Sequence, residues 1–129
     1  MIILTLTKSL EDYLEAILIL KNDFNEVRLT DIAAFLKISK PSVNKAVNVL
    51  RDENLIDSEK YGRIKLTKQG EKIAKDIYFR HQTLKRFLID DLGIDKETAE
   101  SEACAIEHVI SKKSLYKLIE YSKKVNKEN

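Results

Sequence analysis

Three side chains of different ligand chemistry stand close together in the last third of the chain, at Cys104, Glu107 and His108. A helix advances about 100° per residue, so positions i, i+3 and i+4 project from one face. A thiolate, a carboxylate and an imidazole on one face form a ligand set for a transition-metal ion. Glu100, one turn earlier, extends the same stripe. The segment therefore predicts a metal site on a helix, and the function of the chain should depend on metal.

Three more ligand candidates come from other parts of the chain, at Asp12, Glu15 and His81. His81 lies on the apolar stripe of a long predicted helix, so a histidine buried in the core is the alternative to a ligand. Asp12 and Glu15 point away from the main apolar stripe of the first predicted helix, which makes a solvent face their alternative. Apolar residues on that side indicate that the face is covered, and a buried carboxylate needs a cation or another partner. We expect the helices of His81 and Cys104 to cover it.

The composition predicts the elements that must position these side chains. With 129 residues, three glycines, one proline and 43% apolar residues, the chain favours a helical fold with a substantial core. We therefore predict a mainly α fold class. Apolar periodicity and capping residues predict six helices. The first runs from about Leu10 to Lys21 with a cap at Ser9, the second from a cap at Thr30 through Leu36, and the third from a cap at Ser39 through Leu50. The fourth runs from Lys68 to Asp91 with a cap at Thr67, the fifth starts at Asp95 and carries the ligand stripe, and the sixth starts at Ser111.

The second and third predicted helices are separated by only the short connection Lys37-Ile38-Ser39, which is typical of a helix-turn-helix. The following segment, Leu55 to Thr67, is predicted to form a β-hairpin with its turn at Tyr61-Gly62. Ile64 and Leu66 alternate with basic residues along its second strand. A basic hairpin directly after a helix-turn-helix predicts a winged helix.

Basic residues concentrate on these elements, although the net charge is only +2. Four basic and no acidic residues occur between Lys37 and Arg51, and again between Lys60 and Lys68. With short polar side chains on the outward face of the third helix, they indicate contacts with base edges and phosphates of DNA. A small helical domain with solvated lysines is the alternative. The predicted DNA-contacting residues are Arg28, Ser39, Lys40, Pro41, Ser42, Asn44, Lys45, Asn48, Lys60, Arg63 and Lys65.

Several motifs occur in a fixed order: Ser9-Leu-Glu-Asp-Tyr-Leu-Glu-Ala-Ile17, Asp31-Ile-Ala33, Ser39-Lys-Pro-Ser-Val43, Glu59-Lys-Tyr61, Leu66-Thr67, Arg80-His81 and Ala103-Cys-Ala-Ile-Glu-His-Val-Ile-Ser111. From about residue 8 to 120 the chain resembles the diphtheria toxin repressor family of metal-dependent transcription regulators, which includes the manganese transport regulators. The resemblance implies a winged helix-turn-helix domain at residues 1–70 and a helical metal-binding and dimerisation domain at residues 71–129. It also implies a homodimer that binds a palindromic operator on double-stranded DNA and represses transcription.

The resemblance further implies a role for each ligand candidate. Lys85 stands where related proteins often have a liganding glutamate, which argues against a complete second metal site. The chain ends at Asn129 and is expected to lack the SH3-like C-terminal domain of the longer iron-type members. The implied assignments are Asp12, Cys104, Glu107 and His108 as metal ligands, His81 and Glu100 in a second or adjoining site, and Glu15 as a ligand of the manganese-type members.

The donor types point to different metals. Asp12 and Glu15 are hard oxygen donors suited to Mn(II), whereas the thiolate of Cys104 is the softer donor associated with the iron-type branch. We expect Fe(II) or Mn(II) as the cofactor, with Zn, Co or Ni as substitutes in vitro. If the first helix and the Cys104 segment share one ion, metal would lock that helix to the second domain and orient both recognition helices on DNA.

Other classes of function have less support. No run of 18 uncharged apolar residues occurs, so we expect no membrane span, and a single cysteine is consistent with a reducing, cytoplasmic location. A metallohydrolase would need a nucleophile motif or a base outside the ligand set, and none is evident. We therefore predict neither an enzyme nor a small-molecule substrate. The stronger rival is a metal-independent or redox-sensing winged-helix regulator, in which Cys104 and His108 pack in the core or Cys104 is oxidised.

Overall fold

The computed structural model describes residues 6–58 and 62–128, and its internal contacts divide the chain into two compact units, Met1–Asp76 and Ile77–Asn129. The described residues are mainly helical, with one two-stranded sheet, which confirms the predicted fold class. No helix in the described part of the chain is both long and apolar enough to cross a membrane. The elements are α1 (Lys8–Phe24), α2 (Leu29–Leu36), α3 (Lys40–Asp52), β1 (Ile56–Ser58), β2 (Ile64–Leu66), α4 (Lys68–Arg86), a π-helical segment (Phe87–Asp91), α5 (Lys96–Ile106) and α6 (Lys112–Glu128).

The core of the first unit is built from one face of each of its helices. On α3 the predicted stripe Val43, Ala46, Val47 and Leu50 is buried, at the i, i+3, i+4 and i+7 spacing of a single helical face. Burial of Ile32 from α2 in the same core joins the two helices of the helix-turn-helix. The polar residues between these positions consequently face outward on α3.

Two helix starts differ from the prediction. The hydroxyl of Thr7, not that of Ser9, accepts the hydrogen bond from the backbone N–H of Leu10 at 3.2 Å, so α1 begins two residues earlier than expected. In α2 the side chain of Asp31 accepts a hydrogen bond from the backbone N–H of Arg28 at 2.9 Å. Thr30 therefore lies inside α2 and is not its cap. In both cases the helix begins before the residue that its sequence pattern favoured as the cap.

The start of α3 agrees with the prediction. Ser39 is the N-cap, and its hydroxyl oxygen accepts a hydrogen bond from the N–H of Ser42 at 3.3 Å. Pro41 occupies the first turn, where the missing N–H costs no helical hydrogen bond. Lys37 adopts a left-handed conformation, with φ of 57°, and turns the chain between α2 and α3. Helix α3 is thus started by side chains that are local in sequence.

The predicted hairpin is present as the antiparallel pair β1 and β2, in which Ile56 lies opposite Leu66 and Ser58 opposite Ile64. The backbone N–H of Ile64 donates to the carbonyl of Val27 at 2.8 Å, which ties the hairpin to the segment before α2. Gly62 has φ of 76°, the left-handed conformation that a tight turn requires. Residues 59–61, which include the predicted turn residue Tyr61 and the predicted DNA contact Lys60, lie outside the described residues.

Gly70, in the first turn of α4, has no room for a side chain. A Cβ atom at this position would overlap the carbonyl oxygen of Leu55, which already accepts a hydrogen bond from the N–H of Thr67 at 3.1 Å. Thr67 also caps α4, since its hydroxyl oxygen accepts from the N–H of Gly70 at 3.1 Å. Because the obstructing atom belongs to the hydrogen-bonded backbone, it cannot move aside as a flexible side chain would.

We expect Gly70→Ala to lower the free energy of unfolding of the protein by about 2 kcal/mol, as overpacking commonly does. Urea denaturation followed by circular dichroism measures the change. Gln69→Ala, at the exposed neighbouring position, is the control and should stay within about 0.5 kcal/mol of wild type. A Gly70→Ala variant as stable as this control would show that the close approach of Leu55 is not required.

The second unit contains the later part of α4, the π-helical segment, α5 and α6. Its buried core consists of Leu84, Leu88, Ala99, Ala103 and Leu115. The helix predicted to continue to Asp91 is α-helical only as far as Arg86, and the π-helical turns follow. The helix predicted to carry all three residues Cys104, Glu107 and His108 ends at Ile106. The last two of these residues therefore lie in the turn that follows α5.

Candidate functional site

The side chain of Glu107 lies at the centre of a cluster of ionisable groups in the second unit. Glu107 is 1% exposed, and its Oε2 atom is 3.2 Å from Nδ1 of His81 while its Oε1 atom is 3.4 Å from Nε2 of His108. Among the described residues, neither carboxylate oxygen accepts a hydrogen bond of acceptable geometry. An ionised carboxylate buried in this way is costly, and a cation beside it removes much of that cost.

The position of Glu107 depends on the end of α5. Its backbone keeps a right-handed helical conformation, with φ of −57° and ψ of −28°, and its N–H donates to the carbonyl of Ala103 at 2.9 Å. The side chain of Arg80 donates to the carbonyl of Glu107 at 3.2 Å. One potential ligand atom each from Cys104, Glu107 and His108 lies within 4.8 Å of the others. The three side chains converge as predicted, although they do not belong to one continuous helix.

His81, on α4, is buried, and its ring lies between two carboxylates. Nε2 is 2.9 Å from Oε1 of Glu100, and Nδ1 faces Glu107. An ionised carboxylate can only accept a hydrogen bond, so Nε2 is the donor toward Glu100. The other ring nitrogen, Nδ1, lies 3.2 Å from Oε2 of Glu107, so the imidazole is held between two acidic side chains and not among apolar ones, as in an ordinary core.

Glu100 carries a second contact, to Lys85. Its Oε2 atom is 2.9 Å from Nζ of Lys85, while Oε1 contacts His81. Burial is the largest influence on the pKa of Glu100 and raises it, but the hydrogen bond to Lys85 and the charges of His81 and Lys85 together hold the pKa below its ordinary value. Glu100 is therefore an anion, and its two carboxylate oxygens contact Lys85 and His81.

The donor set in this unit fits a divalent transition-metal ion. It combines a thiol that can ionise, carboxylate oxygens and imidazole nitrogens, which are the ligand types that bind first-row metals. The buried carboxylate of Glu107, with no hydrogen-bond donor among the described residues, is the observation that most requires a cation. The residues present can therefore hold the kind of ion that the sequence predicts.

The remaining predicted ligands, Asp12 and Glu15, lie on α1 in the first unit. Both side chains are half-buried, and the neighbouring Ala16 is buried, so this face of α1 is covered and is not a solvent face. Oδ2 of Asp12 is 3.1 Å from Nζ of Lys8, one turn earlier on the helix. The participation of these two carboxylates in metal binding stays a prediction.

A second candidate site is the outward face of α3. Most of the exposed side chains of α3 are uncharged polar or basic, and Pro41, Val49 and Asp52 are the exceptions. The hydroxyl of Ser39 donates to that of Ser42 at 2.9 Å, so the cap also positions a residue of the exposed face. These exposed residues are Lys40, Pro41, Ser42, Asn44, Lys45 and Asn48.

The sequence prediction omitted Arg51, which belongs to the same face. Its guanidinium Nη1 donates to Oδ1 of Asn48 at 2.9 Å, so the two exposed side chains form one hydrogen-bonded pair. The signal was available, because Arg51 follows Asn48 at the i+3 spacing of one helical face and ends the basic run that begins at Lys37.

The hairpin residues are placed as follows. Lys65 is exposed on β2, opposite Asp57. Arg63 pairs by a backbone bridge with Arg28, so these two predicted DNA contacts are neighbours, but the guanidinium of Arg63 also lies 3.3 Å from a carboxylate oxygen of Glu26. Arg63 must therefore exchange or share this ion pair if it is to contact a phosphate.

The two candidate sites, the exposed face of α3 and the cluster around Glu107, lie in segments that match two different family models. Residues 5–64 match the family model described as the iron dependent repressor N-terminal DNA binding domain. Residues 67–128 match the family model described as the iron dependent repressor metal binding and dimerisation domain. The α3 face lies in the first matched segment, and the cluster around Glu107 lies in the second.

Individual proteins are also similar to this chain. An uncharacterized HTH-type transcriptional regulator of Methanocaldococcus jannaschii is 37% identical over 114 residues, which cover 88% of this chain and 91% of that protein. The HTH-type transcriptional regulator MntR of Bacillus subtilis is 37% identical over 109 residues, which cover 84% of this chain and 76% of that protein.

Two solved structures share the fold. The crystal structure of IdeR from T. acidophilum superposes with a TM-score of 0.80 at 28% identity. The match covers 94% of this chain and 56% of the IdeR chain. The structure of the manganese regulator SloR has a TM-score of 0.79 at 28% identity, and the match covers 93% of this chain and 55% of the SloR chain. The chain thus spans a little more than half of each of these two solved chains.

Proposed function

The chain belongs to the family of iron-dependent repressors, and from this premise we propose that it is a transcriptional repressor whose binding to DNA depends on a divalent metal ion. The observation that carries the metal dependence is the buried carboxylate of Glu107 between the imidazoles of His81 and His108. A protein that functioned without metal would leave this carboxylate without a hydrogen-bond donor among the described residues, at a cost in stability.

We propose that Cys104, Glu107 and His108 hold the ion, and that Asp12 and Glu15 of α1 contribute further carboxylates. The participation of α1 is supported by the sequence resemblance and by the half-buried state of both side chains. The bound ion would supply the positive charge that allows these anionic groups to remain ionised away from water. His81 orients toward Glu107 and Glu100, so it positions one carboxylate of the ligand set.

We propose Fe(II) or Mn(II) as the physiological ion. The carboxylates favour Mn(II), while the thiolate of Cys104 is the softer donor that favours Fe(II) over Mn(II). Zn(II), Co(II) and Ni(II) should also bind in vitro, because intrinsic affinity rises along the first-row series. The regulated genes would then be those that maintain iron or manganese homeostasis.

For DNA binding, we propose that α3 enters the major groove and that the hairpin lies beside the phosphate backbone. The second unit would form a homodimer, so that two copies of α3 read the half-sites of a palindromic operator. The proposed contacts are Arg28, Ser39, Lys40, Pro41, Ser42, Asn44, Lys45, Asn48, Lys60, Arg63 and Lys65, with Arg51 added from the structure. This role requires no reaction, so we propose that the protein is not an enzyme.

The test is a comparison of DNA affinity with and without metal. A high-affinity duplex is first selected from random double-stranded DNA in the presence of Mn(II), and binding is then followed by fluorescence anisotropy under anaerobic conditions. We expect the affinity to be about 5- to 150-fold higher with Mn(II) or Fe(II) than with a chelator, the usual range of coupling between two sites. Equal affinities would favour the rival, a regulator that does not depend on metal.

A further inference from the structure

A cavity of about 420 Å³ lies in the first unit, between the end of α1 and the hairpin. Its apolar lining comes from Ile17, Val27 and Ile64, which belong to the buried core of this unit, and from the half-buried Leu66. The backbone N–H of Ile64 donates to the carbonyl of Val27 at 2.8 Å, so two walls of the cavity are held together by the backbone. Small-molecule sites are usually preformed, mostly apolar and about 300 to 1,000 Å³ in volume. The cavity has the size and the lining of such a site.

The charged part of the lining is mainly cationic. Lys21 of α1 lines the cavity together with Arg63 and Lys65 of the hairpin, and Glu26 is the acidic residue among the described lining residues. At neutral pH these side chains carry three positive charges and one negative charge. A concave surface lined by an excess of one sign of charge attracts ligands of the opposite sign. The lining therefore favours an anion over a cation or a neutral molecule.

The guanidinium of Arg63 has an unused hydrogen-bond donor at this place. Its Nη2 atom is 3.3 Å from Oε1 of Glu26, whereas its Nε atom is buried and has no hydrogen-bond partner among the described residues. Nε and Nη2 form one edge of the guanidinium, which can donate two parallel hydrogen bonds to a single carboxylate. The ion pair with Glu26 joins side chains that are 42% and 50% exposed, so it is weak and another carboxylate can replace it.

We propose that this cavity binds a small organic monocarboxylate, with the carboxylate on the Nε and Nη2 edge of Arg63 and the hydrocarbon part against Ile17 and Val27. Binding does not require metal, because the cavity is lined by residues of the first unit. The consequence for DNA rests on the proposed function, in which Arg63 and Lys65 contact the phosphate backbone. A carboxylate on Arg63 competes with DNA for the same donors, so the ligand is an effector that lowers DNA affinity.

The test uses hexanoate as the ligand. Acetate has the same charge without the hydrocarbon chain, and hexanamide has the same chain without the charge. Each is titrated into the isotope-labelled full-length protein after metal has been removed with a chelating resin, and binding is followed by amide chemical shifts. We expect hexanoate to shift the amide signals of Val27 and Ile64 with a dissociation constant of about 1 mM, which is within the efficiency bounds for a ligand of this size. Acetate and hexanamide should bind at least about tenfold more weakly.

Variants of Arg63 show whether its guanidinium is the anchor. Arg63→Gln should weaken hexanoate binding by about 10- to 100-fold, the usual effect of losing hydrogen bonds to a charged group. Arg63→Lys keeps the charge but lacks the planar edge with two donors, so it should weaken binding less. Arg51→Gln is the matched control, because it removes a guanidinium from the exposed surface of α3, outside the cavity. It should bind hexanoate like wild type.

The amide spectrum of each variant shows whether it is folded, and Arg63→Lys decides the question if Arg63→Gln is not. Three results would overturn the proposed site: no shift of the Val27 and Ile64 signals, acetate or hexanamide binding as tightly as hexanoate, or wild-type affinity in the folded Arg63 variants.

The effect on DNA is measured separately, with Mn(II) and the selected duplex present. At about ten times its dissociation constant, hexanoate should lower DNA affinity by about 3- to 10-fold, as competition for one site predicts. Acetate at the same concentration controls for ionic strength and for Mn(II) bound by carboxylate. Unchanged DNA affinity would show that the ligand is not an effector. Because the cavity titration contains neither metal nor DNA, its failure leaves the proposed function standing, and a lack of stimulation by metal leaves the cavity titration unaffected.

Discussion

Replacing Glu107 by glutamine is expected to lower the affinity for Mn(II) or Fe(II) by at least about 100-fold and to remove the stimulation of DNA binding by metal. Loss of a residue that only supports a ligand already costs about 10- to 100-fold, and Glu107 is proposed to be a ligand itself. Glutamine has nearly the same shape, but its amide carries no charge. It can also donate a hydrogen bond to an imidazole nitrogen, which the carboxylate cannot.

The variant should remain folded, because the buried charge is removed and the volume is kept. Isothermal titration with Mn(II) gives the affinity, and circular dichroism shows the fold. Glu102→Gln is the matched control, since Glu102 lies on α5 shortly before Glu107, carries the same kind of side chain and is exposed. It should bind metal like wild type. If Glu107→Gln bound Mn(II) within about threefold of wild type, Glu107 would not be a ligand.

The second large effect is expected on the exposed face of α3. Asn48→Ala should lower the affinity for the selected duplex by about 10- to 100-fold, the usual cost of a lost contact to a base edge. It would also release the guanidinium of Arg51, which donates to Asn48 at 2.9 Å. Metal binding should not change, because Asn48 is exposed on α3 and its side chain hydrogen-bonds to Arg51, which is not a proposed metal ligand.

Salt dependence separates a base contact from a phosphate contact on this face. Lys45→Ala should weaken binding to all sequences and reduce the slope of log affinity against log salt by about one, as expected for one lost phosphate contact. Asn48→Ala should leave that slope unchanged and relax sequence preference. Lys117→Ala removes the same charge from α6, where the side chain is 72% exposed and pairs with Glu120, and should have little effect. Unchanged affinity in both α3 variants would contradict the proposed recognition helix.

Local patterns were enough to predict most of the fold. The cap at Ser39, the proline in the first turn and the apolar spacing of α3 involve residues within one or two turns of each other, so the helix was predictable from the sequence. The errors came where two local signals competed. Thr7 and Ser9 are both residue types that cap helices, and the residue spacing alone did not distinguish them. The early end of α5 at Ile106 also had no clear local signal, since no glycine or proline follows it closely.

The candidate metal site was predictable in part for the same reason. Cys104, Glu107 and His108 lie within five consecutive residues, so their ligand types and proximity were evident from the sequence, although the helix predicted to align them ends at Ile106. The partnership of His81 with Glu100 joins residues 19 positions apart, and it depends on how α4 and α5 pack. Apolar periodicity placed His81 on a core stripe but did not indicate which carboxylates it would face.

The sequence by itself determined the helical class, helix α3 with its exposed polar face, and the three potential ligand types near residue 107, because each depends on residues close together in the chain. Only the tertiary structure decided that Glu107 is buried between two imidazoles and that Lys85 contacts Glu100. Burial and the direction of long side chains are set by packing between elements distant in sequence or by rotamer choice, and neither has a signature in residue spacing.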